Sequence, residues 1–434
     1  MTTVRLGLVG LGTVGCGTLN ILKENAALIE ARTGCTVRVM AVAARDLLRV
    51  RSCDTSGMSL TNDPMQIANN PEVDVVIELM GGTSKAVDVV RAAINAGKHV
   101  ITANKALLAE HGNELLALAE EKGVMIAFEA SVAGGIPVIK ALKEGLSGNR
   151  INWLAGIING TCNYMLTEMA KPNHDFAPVL AEAQRLGYAE AEPSFDIDGI
   201  DASHKLAVLA SVAFGVPLSR TGMLIEGITM VTAADIAWAD ELGYKIKSLG
   251  IARRRDAGLE LRVQSALVPK SKLLANVDDV MNAVMVNGNA AGTTLYYGAG
   301  AGGLATGSAV VADIVDVCLA IAAGKNNRPA LGVPMSKLAT MPILSKEEIL
   351  SAYYLRLDVT DAAGVLARIS TSLALEGISI EEMRQQPDTT TGSATLVLLT
   401  NVVQEAAFVR ALMALNALTD LRAPAVWLRV EHLS

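Results

Sequence analysis

The sequence predicts an α/β protein: a doubly wound parallel sheet at the N-terminus, then an α+β region, then a second, smaller α+β module. Three observations carry this. An apolar strand pattern at the N-terminus runs straight into a glycine-rich turn and a helix, and strand and helix patterns then alternate to about residue 130. A stretch holding Pro329, Pro334 and Pro342 precedes a further run of alternating elements.

The first strand pattern, Val4-Arg-Leu-Gly-Leu-Val9, leads into Gly10-Leu11-Gly12-Thr13-Val14-Gly15 and a helical pattern from Thr18 to Ala31. This is G-x-G-x-x-G in the context the motif requires. The first glycine makes the tight turn, the second lets the backbone approach a pyrophosphate, and the third permits close helix–strand packing. The N–H groups at the helix start then face the phosphates. Gly10, Leu11, Gly12, Thr13, Val14 and Gly15 are the expected dinucleotide cradle of a Rossmann-type fold. Strands at Val37–Val42, Val73–Glu78, His99–Thr102 and Val124–Phe128 continue the pattern, with helices at Lys85–Ala96 and Ala106–Lys122. Such alternation gives a doubly wound parallel sheet.

The end of the second strand bears on cofactor choice. There an acidic residue binds the ribose 2′-hydroxyl of NAD, whereas an arginine accommodates a 2′-phosphate. The sequence reads Val42-Ala43-Ala44-Arg45-Asp46, so NADP(H) is the expected cofactor. Asp46 keeps NAD(H) possible, and the plain alternative for Arg45 is a solvated loop residue.

Composition narrows the class. The chain has 434 residues, enough for roughly two or three domains. Its 51% apolar content is mostly Ala, Val and Leu in short segments, with no uninterrupted run of the ~18 apolar residues that spans a bilayer. The start, Met-Thr-Thr-Val-Arg-Leu-Gly, lacks the pattern of a signal peptide. A net charge of −7 without basic runs argues against nucleic acid, and Arg253-Arg254-Arg255 is expected to be a solvated turn. Five scattered cysteines without C-x-x-C fit reduced thiols in a cytoplasm. No H-E-x-x-H spacing offers a catalytic zinc.

Residues 187–205 hold the densest chemistry: Glu190, Glu192, Asp196, Asp198, Asp201 and Lys205. Burying such a cluster is costly unless its charges pair or meet a charged ligand. Asp201 and Lys205 stand four apart at the start of an Ala/Leu-rich run, and so share one helix face. A lysine beside carboxylates is a candidate proton donor for carbonyl chemistry; the plain alternative is a surface ion pair. A calcium loop starting at Asp196 is rejected, because glycine falls at position 4 and Ala207 at position 12. His204 adjoins Lys205, but neighbours on a helix point about 100° apart, so a structural histidine is expected.

Ile101-Thr-Ala-Asn-Lys105, Asn159-Gly-Thr-Cys-Asn-Tyr164 and the 187–205 stretch together closely resemble homoserine dehydrogenase, over about residues 1–330. Residues 354–369, Tyr-Leu-Arg-Leu-Asp-Val-Thr-Asp-Ala-Ala-Gly-Val-Leu-Ala-Arg-Ile, are similar to the opening of an ACT domain, a ferredoxin-like βαββαβ module that binds amino acids. Ala363 stands where that module usually has proline.

The resemblance implies reversible hydride transfer between L-aspartate 4-semialdehyde and L-homoserine, a step toward threonine, isoleucine and methionine. It implies Lys205 as general acid/base, Asp201 as the carboxylate beside it and Lys105 near cofactor and reacting centre. It implies Glu190, Asp196 and Asp201 as substrate-binding residues, and Gly187 and Gly302 as cofactor contacts. It further implies a sodium ion on Glu129, Val132, Gly134 and Ile136, a homodimer or homotetramer, and L-threonine as effector near Asp361-Ala-Ala-Gly364. The implied domains are 1–130 for the dinucleotide, 131–325 for substrate and oligomerisation (with a 308–325 helix returning to the first), a 326–350 linker, and an ACT regulatory domain at 351–434.

The chemistry is coherent without the family. Aldehyde reduction requires a hydride donor, a proton donor at the developing alkoxide and groups that hold the remainder of the substrate. Two other readings stand beside it: another NADPH-dependent amino-acid semialdehyde reductase, and a non-catalytic amino-acid sensor. Lys205, Asp201, Glu190 and Lys105 together argue against the sensor.

Overall fold

The computed structural model describes every residue except Met1, Asn173, Lys325, Asn326, Asn327, Thr389 and Ser434; the first two residues of the expected linker thus lie outside the described residues. In chain order the elements begin with β1 (Thr2–Val9), α1 (Thr13–Glu24), α2 (Ala26–Thr33), β2 (Cys35–Ala43), β3 (Ser59–Thr61), α3 (Pro64–Asn69), β4 (Val75–Glu78) and α4 (Ser84–Asn95). Next come β5 (His99–Thr102), α5 (Lys105–Lys122), β6 (Ile126–Ala127), α6 (Val138–Lys140), β7 (Ile151–Ile157), α7 (Gly160–Met169), α8 (Phe176–Arg185), α9 (Ser194–Ile197) and α10 (Ile200–Phe214). Then follow β8 (Leu224–Ile225), α11 (Ala233–Glu241), β9 (Tyr244–Arg255), β10 (Gly258–Pro269), β11 (Met281–Gly288), β12 (Gly292–Ala299) and α12 (Gly303–Ala322). The last are β13 (Leu350–Thr360), α13 (Val365–Leu375), β14 (Ile380–Asp388), β15 (Ser393–Thr400), β16 (Val403–Gln404), α14 (Glu405–Asn416) and β17 (Val426–Val430). These elements form two compact units, one of Met1–Gly160, Asp201–Thr221 and Met281–Met341, the other of Thr161–Ile200, Gly222–Val280 and Pro342–Ser434.

The first unit carries a parallel six-stranded sheet in the order β3-β2-β1-β4-β5-β6. Its central strands read as continuous apolar runs, as expected where helices cover both faces; Val75, Val76 and Ile77 are buried. The order reverses between β1 and β4, and ligands of open α/β sheets bind beyond the strand ends at such a point. The helix expected at Thr18–Ala31 starts at once after the glycine turn and breaks at Asn25, whose φ of −106° and ψ of 18° separate α1 from α2.

The helix expected at 308–325 begins at Gly303, because Gly302 caps it with φ 126°. α12 packs on α1 backbone to backbone. A Cβ on Gly17 would lie 2.0 Å from the Gly303 carbonyl oxygen, and one on Gly307 would lie 2.9 Å from the Gly17 carbonyl carbon. By length and composition alone α12 could cross a bilayer, yet Val310, Ile314, Val317 and Cys318 sit in one apolar cluster with β1 and α1. The unit also holds β7, β11 and β12, paired antiparallel in that order.

In the second unit β9 and β10 form an antiparallel hairpin. The Arg253–Arg255 triplet is therefore the end of a strand and not the solvated turn the sequence suggests. Arg253 pairs with Glu431 at 3.4 Å and Arg255 with Glu260 at 2.9 Å. The C-terminal run β13-α13-β14-β15-α14-β17 is the βαββαβ order of an ACT module, with sheet order β17-β13-β15-β14. Its outer strand β17 continues onto β10 in parallel, Ala266 opposite Arg429 and Leu267 opposite Val430. The segment expected to be a linker is partly built in: Leu259 N–H donates to the Pro342 carbonyl and Leu344 N–H to the Leu259 carbonyl, both at 2.8 Å.

Candidate active site

The glycine turn is made as its three glycines require, each for a different reason. Gly10 has φ 105°, and a Cβ there would lie 2.5 Å from the Leu79 carbonyl oxygen. A Cβ on Gly15 would lie 2.3 Å from the Gly10 carbonyl oxygen, so α1 can approach the turn only through glycine. A Cβ on Gly12 would point into open space, where a pyrophosphate would need the room. α1 opens at Thr13 without a side-chain cap, so its first amides face outward as an anion-binding end. Leu11, Thr13 and Val14 are the remaining residues of this turn.

Beside the turn, residues 44–58 fold along α1. Cys16, Asn20 and Lys23 meet them from one helix face: the Cys16 and Cys53 thiols lie 2.9 Å apart, Asn20 donates to the Ser52 carbonyl at 3.0 Å, and Lys23 pairs with Asp54 at 3.0 Å. Arg51 donates to the Leu11 carbonyl at 3.0 Å, tying this loop to the glycine turn. A recess of about 100 Å³ is lined by Leu11, Ala44, Arg49, Arg51 and Cys53, among others. Arg45 is exposed at its start. Asp46 turns one carboxylate oxygen onto the Leu48 and Arg49 amides, at 2.9 and 3.2 Å, and so serves its own loop.

Lys105, Asp201 and Lys205, far apart in sequence, come together in the first unit. The Asn104 side chain caps α5 by accepting from Leu107 N–H at 3.0 Å, which places Lys105 as the first helical residue. Asp201 lies in the first turn of α10, and Lys205 follows one turn later on the same face. One Asp201 oxygen is 3.1 Å from the Lys105 ammonium; the other accepts from Lys205 at 2.7 Å and from Asn159 Nδ2 at 2.8 Å. Lys205 also donates to the Ile158 carbonyl at 2.7 Å. An ammonium has three donors, so these two bonds fix its direction and leave one for a ligand oxygen.

The Asp201 side chain is only 6% exposed. Burial pushes its carboxyl up, but Lys205 and Lys105, with hydrogen bonds from Lys205 and Asn159, outweigh that and hold it well below the usual carboxylate range. Burial, then Arg220, push the His204 imidazole down to about 4, while Lys105 and Asp201 of the cluster act on it in opposite directions. It is neutral near pH 7 and fits the structural role expected of it.

The second unit carries Gly187, Glu190 and Asp196. Gly187 ends the α8 turn with φ 77°. Glu190 is exposed, and its backbone carbonyl accepts from Gln184 at 3.1 Å. Thr161 donates to the Tyr188 carbonyl at 2.6 Å, and Tyr188 packs edge-on against Tyr164 at 4.9 Å. Asp196 is half-buried in the short helix α9, and its backbone carbonyl lies 3.2 Å from the Cys162 sulfur.

The 129–136 loop has a buried centre. Glu129 accepts from the Ile139 and Lys140 amides at 2.9 and 2.7 Å, capping α6, and its own N–H donates to Asp313 at 2.8 Å. Ala133 and Gly134 take positive φ, 55° and 48°. Carboxylate plus backbone carbonyls at Val132, Gly134 and Ile136 is an all-oxygen donor set, which suits a hard cation. Among the described residues no three His, Cys, Asp or Glu side chains group to hold a metal.

Sequence reasoning missed Asn159 as a site residue and Glu78 as a buried carboxylate at the end of β4. Asn159 opens the Asn-Gly-Thr-Cys-Asn-Tyr run, so a signal was present. Glu78 closes Val-Val-Ile-Glu, and its only signal was a lone carboxylate at the end of an otherwise apolar strand.

Because Asp201 is held below its unfolded value of 3.8, its contribution to stability is present above that value and lost as pH falls below it. The gap in melting temperature between wild type and Asp201→Asn should therefore be full above about pH 5 and close on acidification. A gap that stays constant from pH 6 to pH 3 would rule out the charge pairing as its source.

Comparison with known proteins agrees with this geometry. Residues 10–129 match the NAD-binding domain of homoserine dehydrogenase, residues 137–315 homoserine dehydrogenase itself, and residues 353–420 the ACT domain. The chain is 53% identical to a homoserine dehydrogenase of Pseudomonas aeruginosa and 47% identical to one of Neisseria gonorrhoeae, covering all of each chain in both cases. It superposes on the crystal structure of a homoserine dehydrogenase from Thiobacillus denitrificans with a TM-score of 0.96 at 49% identity, over 100% of this chain and 99% of that one. A cradle for the dinucleotide, an enclosed lysine–aspartate–lysine cluster and full-length similarity lead to one conclusion: the chain belongs to the homoserine dehydrogenase family.

Proposed function

We propose that this NAD(P)-dependent homoserine dehydrogenase uses Lys205 as the acid/base of the interconversion of L-aspartate 4-semialdehyde and L-homoserine. The observation that carries the assignment is the Lys205 ammonium, enclosed by Asp201 and the Ile158 carbonyl with one N–H left over. When bound, the reduced nicotinamide supplies the hydride. In reduction, Lys205 donates a proton to the oxygen that develops negative charge; in oxidation, its neutral amine accepts the hydroxyl proton. The Lys205 ammonium also stabilises the negative charge that develops on that oxygen. Glu190 and Asp196 are assigned the substrate's ammonium group, and Gly187 and Gly302 the nicotinamide end of the cofactor.

NADP(H) is the cofactor this reading prefers. After the second strand Arg45 is exposed and Arg49 lines the recess, while Asp46 and Arg51 are engaged by the loop and the glycine turn. An archaeal homoserine dehydrogenase, 25% identical over 73% of this chain, has been solved with NADPH. The assigned effector is L-threonine at the turn Asp361–Gly364, where Gly364 takes φ 87° and opens α13 without a side-chain cap. Sodium is assigned to Glu129, Val132, Gly134 and Ile136.

Reduction of NADP+ with L-homoserine, followed at 340 nm, tests the core of this. Lys205→Ala should lower kcat by roughly 100- to 10,000-fold; near wild-type turnover would remove Lys205 from the chemistry. Run with both cofactors, Arg45→Ala should lower the NADP+ to NAD+ ratio of kcat/KM by about tenfold or more. An unchanged ratio would leave Arg45 as a solvated loop residue. The same assay titrated with L-threonine, or with sodium in place of choline chloride, reads the last two assignments; a flat response to either removes it. The full chain is the right material, since cutting before β13 would strip β17 from β10.

A further inference from the structure

Glu78, at the carboxyl end of β4, is fully buried, and its hydrogen-bond partners are neutral. One carboxylate oxygen accepts from the Met80 amide at 2.7 Å, the other from the Thr102 hydroxyl at 2.6 Å. Burial pushes its carboxyl up to about 7, against hydrogen bonds from Thr102, Met80 and Asn104. A carboxylate in such a place costs stability that an apolar residue would not.

Its two bonds lead in two directions. On one side, the Met80 bond fixes the turn after β4, and this turn touches the cradle: a Cβ on Gly10 would lie 2.5 Å from Leu79 O and 3.0 Å from Met80 N. On the other side, the Thr102 hydroxyl donates to Glu78 and accepts from Asn104 N–H at 3.0 Å. Asn104 in turn caps α5 and donates to the Gly82 carbonyl at 2.7 Å. The next residue is Lys105, which reaches Asp201. Glu78 thus stands between the cofactor turn and the lysine cluster at the point where the strand order reverses.

We propose that Glu78 is a positioning residue that braces the glycine turn with one oxygen and, through Thr102 and Asn104, sets the start of α5 and hence Lys105 with the other. It deepens the function assigned above and rests on it only for the turnover readout. Glutamine has the right shape but a single acceptor oxygen: if that oxygen accepts from the Met80 amide, an N–H stands where the Thr102 hydroxyl donated, and that hydroxyl proton loses its acceptor.

Four variants of the full chain test this: Glu78→Gln, Thr102→Val, Thr102→Ser and Glu78→Gln/Thr102→Val. Each is checked for folding by far-UV circular dichroism, then measured for NADPH Kd by fluorescence titration and for kcat with L-homoserine and saturating NADP+. Glu78→Gln should raise the NADPH Kd and lower kcat, each about tenfold, since both branches loosen. Thr102→Val cuts one branch, so it should lower kcat similarly with Kd within about twofold of wild type. Thr102→Ser, which keeps the hydroxyl, should return kcat to within about twofold of wild type. The double variant should lose no more kcat than Glu78→Gln, because both changes break one path. Wild-type Kd and kcat in Glu78→Gln, a Thr102→Ser as impaired as Thr102→Val, or losses that multiply in the double variant would each overturn the proposal. Should Glu78→Gln not fold, the Thr102 pair decides by the same criteria. Absent turnover of L-homoserine by wild type would count against the assigned reaction and not the brace, which the NADPH titration reads alone.

Discussion

Asp201 is the constraint on which the site depends. Taking a carboxylate out of water costs several kcal/mol even after relaxation. A single ammonium about 3 Å away returns roughly 5 kcal/mol at an effective dielectric near 20, while bearing its own desolvation. One partner therefore only about balances the burial. The second ammonium and the Asn159 amide tip it, which is why the Asp201 carboxyl stays ionised although it is buried. The consequence is chemical as well as structural: a fixed anion between two cations holds both lysines in place.

The dinucleotide end is governed by a different limit, how closely backbone can approach backbone. Gly10 meets the turn after β4, Gly15 meets Gly10, and Gly17 meets Gly303, each at a distance where a Cβ would overlap a backbone atom. The chain thus spends its glycines on drawing α1 and α12 onto the sheet. Of the three glycines of the turn, Gly12 is the one that faces open space. α12, which by composition could be read as a membrane helix, is apolar because it fills this core.

Much of this was legible in the sequence. The glycine turn has a fixed spacing tied to fixed backbone needs, and Asp201 with Lys205 has the four-residue spacing of a shared helix face. The third member of the cluster, Lys105, was reached through resemblance, since nothing in its local pattern gives its partner. The cap and brace around it were not legible: Glu78 and Thr102 are strand-end residues whose value arises only when β4 and β5 lie side by side. β10 misleads for a related reason. Its alternation of Glu260, Arg262 and Gln264 with apolar residues reads as one wet face, yet all three are buried. Arg262 is covered by Glu431 from the far end of the chain, and Glu260 by Arg255 and Arg262 of its own hairpin.

That buried network also explains how the C-terminal module is joined in the second unit. Arg429 on β17 bonds Glu405 at the start of α14 and Glu226 after β8, and burial is outweighed by these carboxylates, which push its guanidinium further up. Glu431, buried between Arg262 and Arg253, is held below the usual range in spite of burial. An apolar joint of the same size would bind at least as tightly, but it would tolerate a slipped strand. Paired charges do not: moving β17 by one residue turns Arg429 and Glu431 to the opposite face and leaves Arg262 buried without its carboxylate. The ion pairs thus specify one register between β17 and β10. The sheet therefore runs without a break from β14 through β15, β13 and β17 to β10.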